Sequence, residues 1–461
     1  MSSHQHSPLV LGTEPVRKLL AQYAFPAIIA MTAASLYNIV DSIFIGHGIR
    51  EVGADGISRD VGHLAIAGLA LTYPLMNLAA AFGSLVGVGA STLVSIKLGQ
   101  KDYQSANRVL GNVLVLNIIL GVVFSLLCYP FLDSILYFFG ASEHTIPYAR
   151  DFMHIILLGN VVTHMYLGLN AIIRSAGNPH MAMYTTLLSV GVNCLLAPLF
   201  IFGFEWGIKG AAWATVIAQI ISLGLQIIYL TNPNRVIGFR KGIYRLKKEL
   251  VNGILSVGLS PFLMNICSCL IVILINRTLK EHDGDVAISA YGIINRIIFL
   301  FVMVVMGLNQ GMQPIAGYNY GARRIDRVTK VTHLSIRWAV GITLLGTTVC
   351  QLFPRFIVGW FTTDLNTIAA SVFGMRLVFA VFPIVGFQMV ASNFFLSIGK
   401  PKIAIFLSLT RQMLFLVPCL LILPLFFQTL GVWLSLPIAD SVSAAVTAVM
   451  FVRTMRSLKP S

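Results

Sequence analysis

Charge is scarce in this chain. Only 11% of its 461 residues are Asp, Glu, Lys or Arg, against roughly 25% in an ordinary soluble domain. With 57% of residues hydrophobic, a soluble enzyme is excluded. Catalytic patterns are missing as well: neither H-E-x-x-H nor G-x-S-x-G occurs, so an intramembrane hydrolase finds no support. Cysteine offers no framework. The six cysteines, Cys128, Cys194, Cys267, Cys269, Cys350 and Cys419, lie within apolar stretches. Cys267 and Cys269 have no second pair and no nearby histidine, so no metal site is expected on cysteine. The first fifteen residues lack a charged segment leading into a short apolar run and a cleavage site. No removable signal peptide is expected, and the first apolar helix is read as its own insertion signal.

Long apolar runs dominate the rest. They centre on residues 17–46, 63–95, 108–133, 147–173, 180–203, 209–231, 253–279, 285–316, 332–353, 368–397, 402–427 and 430–455. Each is long enough to cross a hydrocarbon layer about 30 Å thick as a helix. Backbone polar groups in lipid must be satisfied within the chain, and these unbroken runs lack the alternation of barrel strands. An all-α polytopic membrane protein of twelve transmembrane helices follows.

The net charge of +15 would point to nucleic acid in a soluble protein. In a membrane protein it reports topology, because cytoplasmic loops collect Lys and Arg, and no nucleic-acid partner is expected. The first connection holds Arg50 and Arg59 against Glu51, Asp55 and Asp60. The connection between helices six and seven holds Arg235, Arg240, Lys241, Arg245, Lys247 and Lys248 against Glu249. Arg323, Arg324, Arg327 and Lys330 follow helix eight, and Arg453, Arg456 and Lys459 follow helix twelve. Both termini are therefore expected in the cytoplasm, with the protein in the cell inner (cytoplasmic) membrane. The basic midpoint divides the chain into an N-terminal lobe (1–231), a cytoplasmic linker (232–252) and a C-terminal lobe (253–461).

The two halves repeat. Pro26 and Pro261 stand early in the first helix of each half, and "LAIAGLALTYPL" (64–75) parallels "VAISAYGIINRI" (286–297). Gly89 and Gly99 match Gly311 and Gly321, and "GNPHMA" (177–182) matches "GKPKIA" (399–404), all at one shift of 222 residues. Six helices per repeat is an even number, so the halves share one orientation. Parallel repeats of this kind belong to secondary transporters.

At these residues the sequence resembles the multidrug and toxic compound extrusion (MATE) family, within the wider multidrug/oligosaccharidyl-lipid/polysaccharide exporter superfamily. The resemblance rests on "SLYNIVDSIFIGHG" (35–48), "GVGASTLVSIKLGQKD" (87–102), "GLNQGMQPIAGYNYGARR" (307–324) and "RSAGNPHMA" (174–182), and it extends over essentially the whole chain. It implies two six-helix lobes in a V. It also implies an antiporter, working as a monomer in membrane lipid, that exports organic cations or amphipathic small molecules in exchange for H⁺ or Na⁺. No cofactor beyond that ion is expected.

Asp41 is the sharpest single feature, a carboxylate deep in an otherwise uncharged helix, with Tyr37 and Asn38 one turn earlier. Burying it costs several kcal/mol, so it should face the bundle interior. There it could take a proton from one side and release it to the other, or bind Na⁺ through oxygen. The family resemblance adds polar partners from the fifth and sixth helices, Asn193 and Thr215. Ala197 stands where many relatives carry a second aspartate. One carboxylate offers Na⁺ less charge than two, which favours a proton cycle while leaving Na⁺ at Asp41, Asn193 and Thr215 open.

In the second half Arg296 and Asp440 both fall within apolar stretches, and a buried ion pair between them is expected because either alone would be costly. The family's acidic positions in helices seven and ten find no counterpart, since 253–276 and 377–398 contain no Asp or Glu. His154 and His164 are candidate proton relays. In the family, bending near the first-helix proline has been linked to the aspartate, which makes Pro26 a candidate hinge. The runner-up function is a flippase for a lipid-linked saccharide or other amphipathic lipid. Such a protein needs several cavity cations to hold a pyrophosphate, and Arg296 stands nearly alone.

Overall fold

The computed structural model describes residues 10–48, 50–52, 58–60 and 62–458, with the side chains of 38–39, 42, 46–63, 280 and 283–285 excepted. Helices dominate: α1 (Val10–Thr13), α2 (Val16–Gly48), α3 (Gly62–Gly99), α4 (Tyr103–Cys128), α5 (Leu132–Phe138), α6 (Ile146–Leu158), α7 (Asn160–Ser175), α8 (Pro179–Pro198) and α9 (Gly207–Thr231). The second half follows with α10 (Lys248–Gly321), α11 (Ile325–Leu352), α12 (Pro354–Gly359), α13 (Leu365–Ala380), α14 (Phe382–Ser397), α15 (Pro401–Leu409) and α16 (Val417–Leu458). A three-residue hairpin, β1 (Arg50–Val52) with β2 (Ser58–Asp60), joins α2 to α3.

Eight stretches are long and apolar enough to span a membrane as single helices. Two more spans are bent pairs, α6 with α7 at 56° and α13 with α14 at 50°. The sequence runs 147–173 and 368–397 read as unbroken, so the bends are a correction to that reading. The causes are local. Gly159 separates the first pair, and a Cβ there would press on the Val216 side chain of α9, so glycine admits the neighbouring helix. In the second pair Pro383 sits in the first turn of α14 and supplies no amide to the preceding turn.

Two further helices complete the twelve apolar runs of the sequence: α11, which falls outside those ten, and the second part of α16, which lies within the long stretch Pro401–Leu458. α11 starts at Ile325, seven residues before the apolar run, because its first two turns carry charge: Asp326, Arg327 and Lys330. α16 reverses at Gln428, whose φ of 52° and ψ of −131° break the helix and divide Pro401–Leu458 into two crossings. The count of twelve spans agrees with the sequence reading.

The repeat is visible in the backbone. α7 and α14 coincide under the 222-residue shift, as do the left-handed residues Gly177 (φ 104°) with Gly399 (φ 68°) and Lys101 (φ 60°) with Arg323 (φ 58°). In each half the latter residue ends a helix, the Asp102 and Arg324 amides reaching back to the carbonyls of Lys97 and Asn319.

The chain packs as two compact units. Among the described residues, one comprises those within 29–97 and 102–258, the other those up to 28 together with 98–101 and 259–458. The lobes drawn on the sequence, 1–231 and 253–461, are continuous, whereas these units are not. α2 changes unit after Ile28, two residues beyond Pro26, and α10 changes unit after Gly258, three residues before Pro261. In the first unit Phe124, Phe152, Phe200 and Ile201 centre a continuous apolar core; in the second, Phe379, Phe382, Met375 and Trp433 do.

Glycine permits a close helix contact in the first unit. A Cβ on Gly89 of α3 would overlap the Ile254 carbonyl oxygen, and one on Gly258 would overlap that of Leu85. No larger residue fits either position without moving backbone. The basic connection is also fixed in place. Asn107 and Asn112 of α4 each donate to a linker carbonyl, Val236 at 2.9 Å and Arg245 at 3.1 Å, and each accepts a linker amide in return, from Gly238 and Lys247.

Candidate functional site

Four of the residues singled out in the first half come from three helices of one unit. α2 presents Tyr37 and Asp41 one turn apart, α8 presents Asn193, and α9 presents Thr215. Asn193 Nδ2 donates to the Tyr37 hydroxyl at 3.0 Å and to Thr215 Oγ1 at 3.0 Å. The Tyr37 and Thr215 oxygens are 2.9 Å apart, and the Thr215 hydroxyl reaches the Ala211 carbonyl at 3.1 Å. Because a carbonyl only accepts, the Thr215 proton is engaged there, and Tyr37 is the donor of the shared bond. Every hydrogen of this triangle is thus committed.

Asp41 lies one turn from Tyr37 on α2 and is 8% exposed. Its Oδ1 is buried and has no hydrogen-bond partner among the described residues. An ionised carboxylate left so would cost several kcal/mol, whereas the neutral acid or a cation-bound carboxylate costs much less. The side chain of Asn38 lies outside the described residues. Ala197, fully buried one turn beyond Asn193, supplies no second carboxylate. Among the described residues no group of three His, Cys, Asp or Glu is arranged for a metal ion. Sodium bound through Thr215 Oγ1 would need that oxygen to give up a bond it now accepts from Asn193 or Tyr37.

In the second half the expected Arg296–Asp440 pair does not form. Asp440 Oδ1 instead accepts from Arg411 Nε at 2.7 Å, and Arg296 is exposed on α10. The correction has a simple cause. Arg411 is carried on a π-helical turn, Thr410–Leu416, and meets Asp440 of α16 from there. The sequence held the signal, since Arg411 is the one charged residue between 403 and 439. The histidines join neither cluster. His164 Nε2–H donates to the Ala79 carbonyl at 2.9 Å, and His154 stacks on Tyr129 with centroids 4.7 Å apart. Pro26 is buried inside α2, which continues past it as one helix.

The chain as a whole has counterparts among known proteins. The MatE family matches residues 26–199 and 257–421, one segment in each half. The chain belongs to the multidrug and toxic compound extrusion family. Its curated relatives include "Multidrug export protein MepA" of Staphylococcus aureus (strain N315), 28% identical over 96% of this chain and 94% of that protein. The same-named protein of Staphylococcus haemolyticus (strain JCSC1435) is 28% identical over 95% and 94%. Among solved structures, the MATE multidrug transporter DinF-BH is 36% identical with a TM-score of 0.87, covering 96% of each chain. An outward-facing MATE transporter of the MOP superfamily, 22% identical, shares the fold with a TM-score of 0.88 over 98% of each chain. This MATE protein is therefore a multi-pass membrane transporter and not an enzyme.

Proposed function

We propose that this MATE transporter exports cationic or amphipathic small molecules in exchange for protons, with Asp41 as the coupling carboxylate. The observation that carries the reading is the buried Oδ1 of Asp41, without a hydrogen-bond partner among the described residues, next to a triangle whose donors are all engaged. Protonation removes the cost of that oxygen's charge, and loss of the proton restores it, so the two states of Asp41 favour different packings of α2. α2 changes unit between Pro26 and Asp41, two residues after the proline, which suits a hinge at that place. The lone carboxylate and the self-satisfied hydroxyls favour H⁺ over Na⁺. MepA is a multidrug export protein and DinF-BH a multidrug transporter, which supports drug-like substrates. The concentration of Lys and Arg at Arg17–Lys18, 235–248, 323–330 and 453–456 supports both termini in the cytoplasm of a cell membrane.

The test uses proteoliposomes of the full chain loaded with a fluorescent organic cation, with a pH gradient and a Na⁺ gradient imposed separately. The pH gradient drives export by the parent, and Asp41→Asn abolishes that response at equal reconstitution. Export by Asp41→Asn at the parental rate, or export driven by Na⁺ alone, overturns the proposal.

A further inference from the structure

Where α2 and α11 both begin, a cavity of about 660 Å³ opens on the second unit, lined by Arg17 of α2 and by Arg327, Lys330, His333, Leu334 and Arg337 of α11. Asp326 is the single carboxylate on its wall, against four permanent cations. Arg17, Lys330 and Arg337 are exposed and make no ion pair or hydrogen bond among the described residues. Among the described residues Arg327 donates to neutral groups, the Leu11 and Glu14 carbonyls and Asn319, and makes no salt bridge.

Position and chemistry narrow the occupant. Lys330, His333 and Arg337 lie at i, i+3 and i+7 on one face of α11, a rise of about 10 Å. Arg17 faces them from the first turn of a candidate span that starts at Val16. Farther along both helices the surface turns apolar: Leu334 lines the cavity, and the Phe25 ring, 58% exposed, sits 6.4 Å from that of Trp338. Cations above exposed aromatics at the end of a span mark the depth of lipid headgroups. Basic pockets between transmembrane helices at that depth recognise phosphodiester headgroups. An acidic protein segment would match the charge but would leave Phe25 and Trp338 unused.

We propose that this cavity is a binding site for an anionic phospholipid, its phosphodiester held by Arg17, Lys330 and Arg337 and an acyl chain lying along Leu334, Phe25 and Trp338. The site is separate from Asp41, and it stands whichever ion drives transport.

Native mass spectrometry of the purified, delipidated full chain decides it, with phosphatidylglycerol, phosphatidylcholine and inorganic phosphate as separate probes. Phosphatidylglycerol remains bound to the parent, while phosphatidylcholine and inorganic phosphate do not. The double change Lys330→Gln with Arg337→Gln weakens phosphatidylglycerol retention about tenfold or more. Removing two linker cations, Arg240→Gln with Lys241→Gln, leaves it unchanged at the same net charge. If the double variant does not elute as a single monodisperse species, Arg17→Gln on the opposite wall serves in its place. Equal retention of phosphatidylcholine overturns the proposal, as does equal loss in the linker variant. Retention or competition by inorganic phosphate overturns it in favour of a free-anion site.

Discussion

The side-chain amide of Asn193 donates to the Tyr37 hydroxyl across 3.0 Å, tying α8 to α2 one helical turn before Asp41. Its second hydrogen goes to Thr215 Oγ1 on α9, so one amide joins three helices at the place where the lone carboxylate is buried. Asn193→Leu removes both bonds and leaves the Tyr37 oxygen short of a donor. A loss of about 1–3 kcal/mol is expected, the cost of stranding buried polar groups. Thermal unfolding in detergent measures it, with the double change Asn193→Leu and Tyr37→Phe as the milder companion because it also deletes the hydroxyl that Asn193→Leu strands. Equal unfolding temperatures for Asn193→Leu and the parent would show that the triangle contributes nothing to the fold.

Arg411 and Asp440 form an ion pair between two apolar segments, with side chains 29% and 13% exposed. Replacing Arg411 by Met leaves Asp440 without its partner, and about 2–3 kcal/mol of stability is expected to go, less than for a fully dry pair because water reaches Arg411. Adding Asp440→Leu to the same chain should recover most of that loss. Arg296→Gln should change stability by less than about 0.5 kcal/mol, the ordinary range for an exposed site. A large effect at Arg296 with none at Arg411 would reverse the assignment of the pair.

Gly89 and Gly258 hold α3 and α10 at a distance that no Cβ tolerates, since the obstacle in each case is a backbone carbonyl. Gly258→Ala is therefore expected to cost about 1–3 kcal/mol by overpacking and to lower the yield of monodisperse protein. Gly224→Ala, where nothing lies within 4 Å of a built Cβ, is the control and should be neutral or slightly stabilising. Matching yields for the two variants would contradict the close approach.

Lys101 ends α3 with φ of 60°, a conformation that disfavours any residue with a Cβ. Lys101→Gly should raise stability by about 1 kcal/mol, and the repeat-related Arg323→Gly by a similar amount. Differential scanning of the two single variants and of the double tests whether the gains add, as they should for helix ends in different repeats. A fall in unfolding temperature for both would show that side-chain contacts at these positions outweigh backbone strain.

Much of this architecture is a property of composition alone. A chain with so few charges and twelve apolar runs can satisfy its backbone in lipid only as helices, and the 222-residue repeat fixes their pairing into halves. Asp41 was legible for the same reason, because a single carboxylate in an apolar helix is too costly to keep there without a use. Tyr37 was legible from its place one turn before Asp41, whereas Asn193 and Thr215 were legible only through resemblance to a family, since no spacing rule links residues 178 positions apart. Tertiary structure decided the rest. It broke the fourth and tenth spans at Gly159 and before Pro383, because bends depend on what neighbouring helices and missing amides allow. It gave Asp440 to Arg411 and not Arg296, because which residues meet depends on the rotation of each helix, and Arg411 stands on a π-helical turn. The cations at the start of α11 read along the chain as topology. Only when α2 and α11 are brought together do Arg17, Lys330 and Arg337 line one cavity, since electrostatic recognition is set by distance in space and not along the chain.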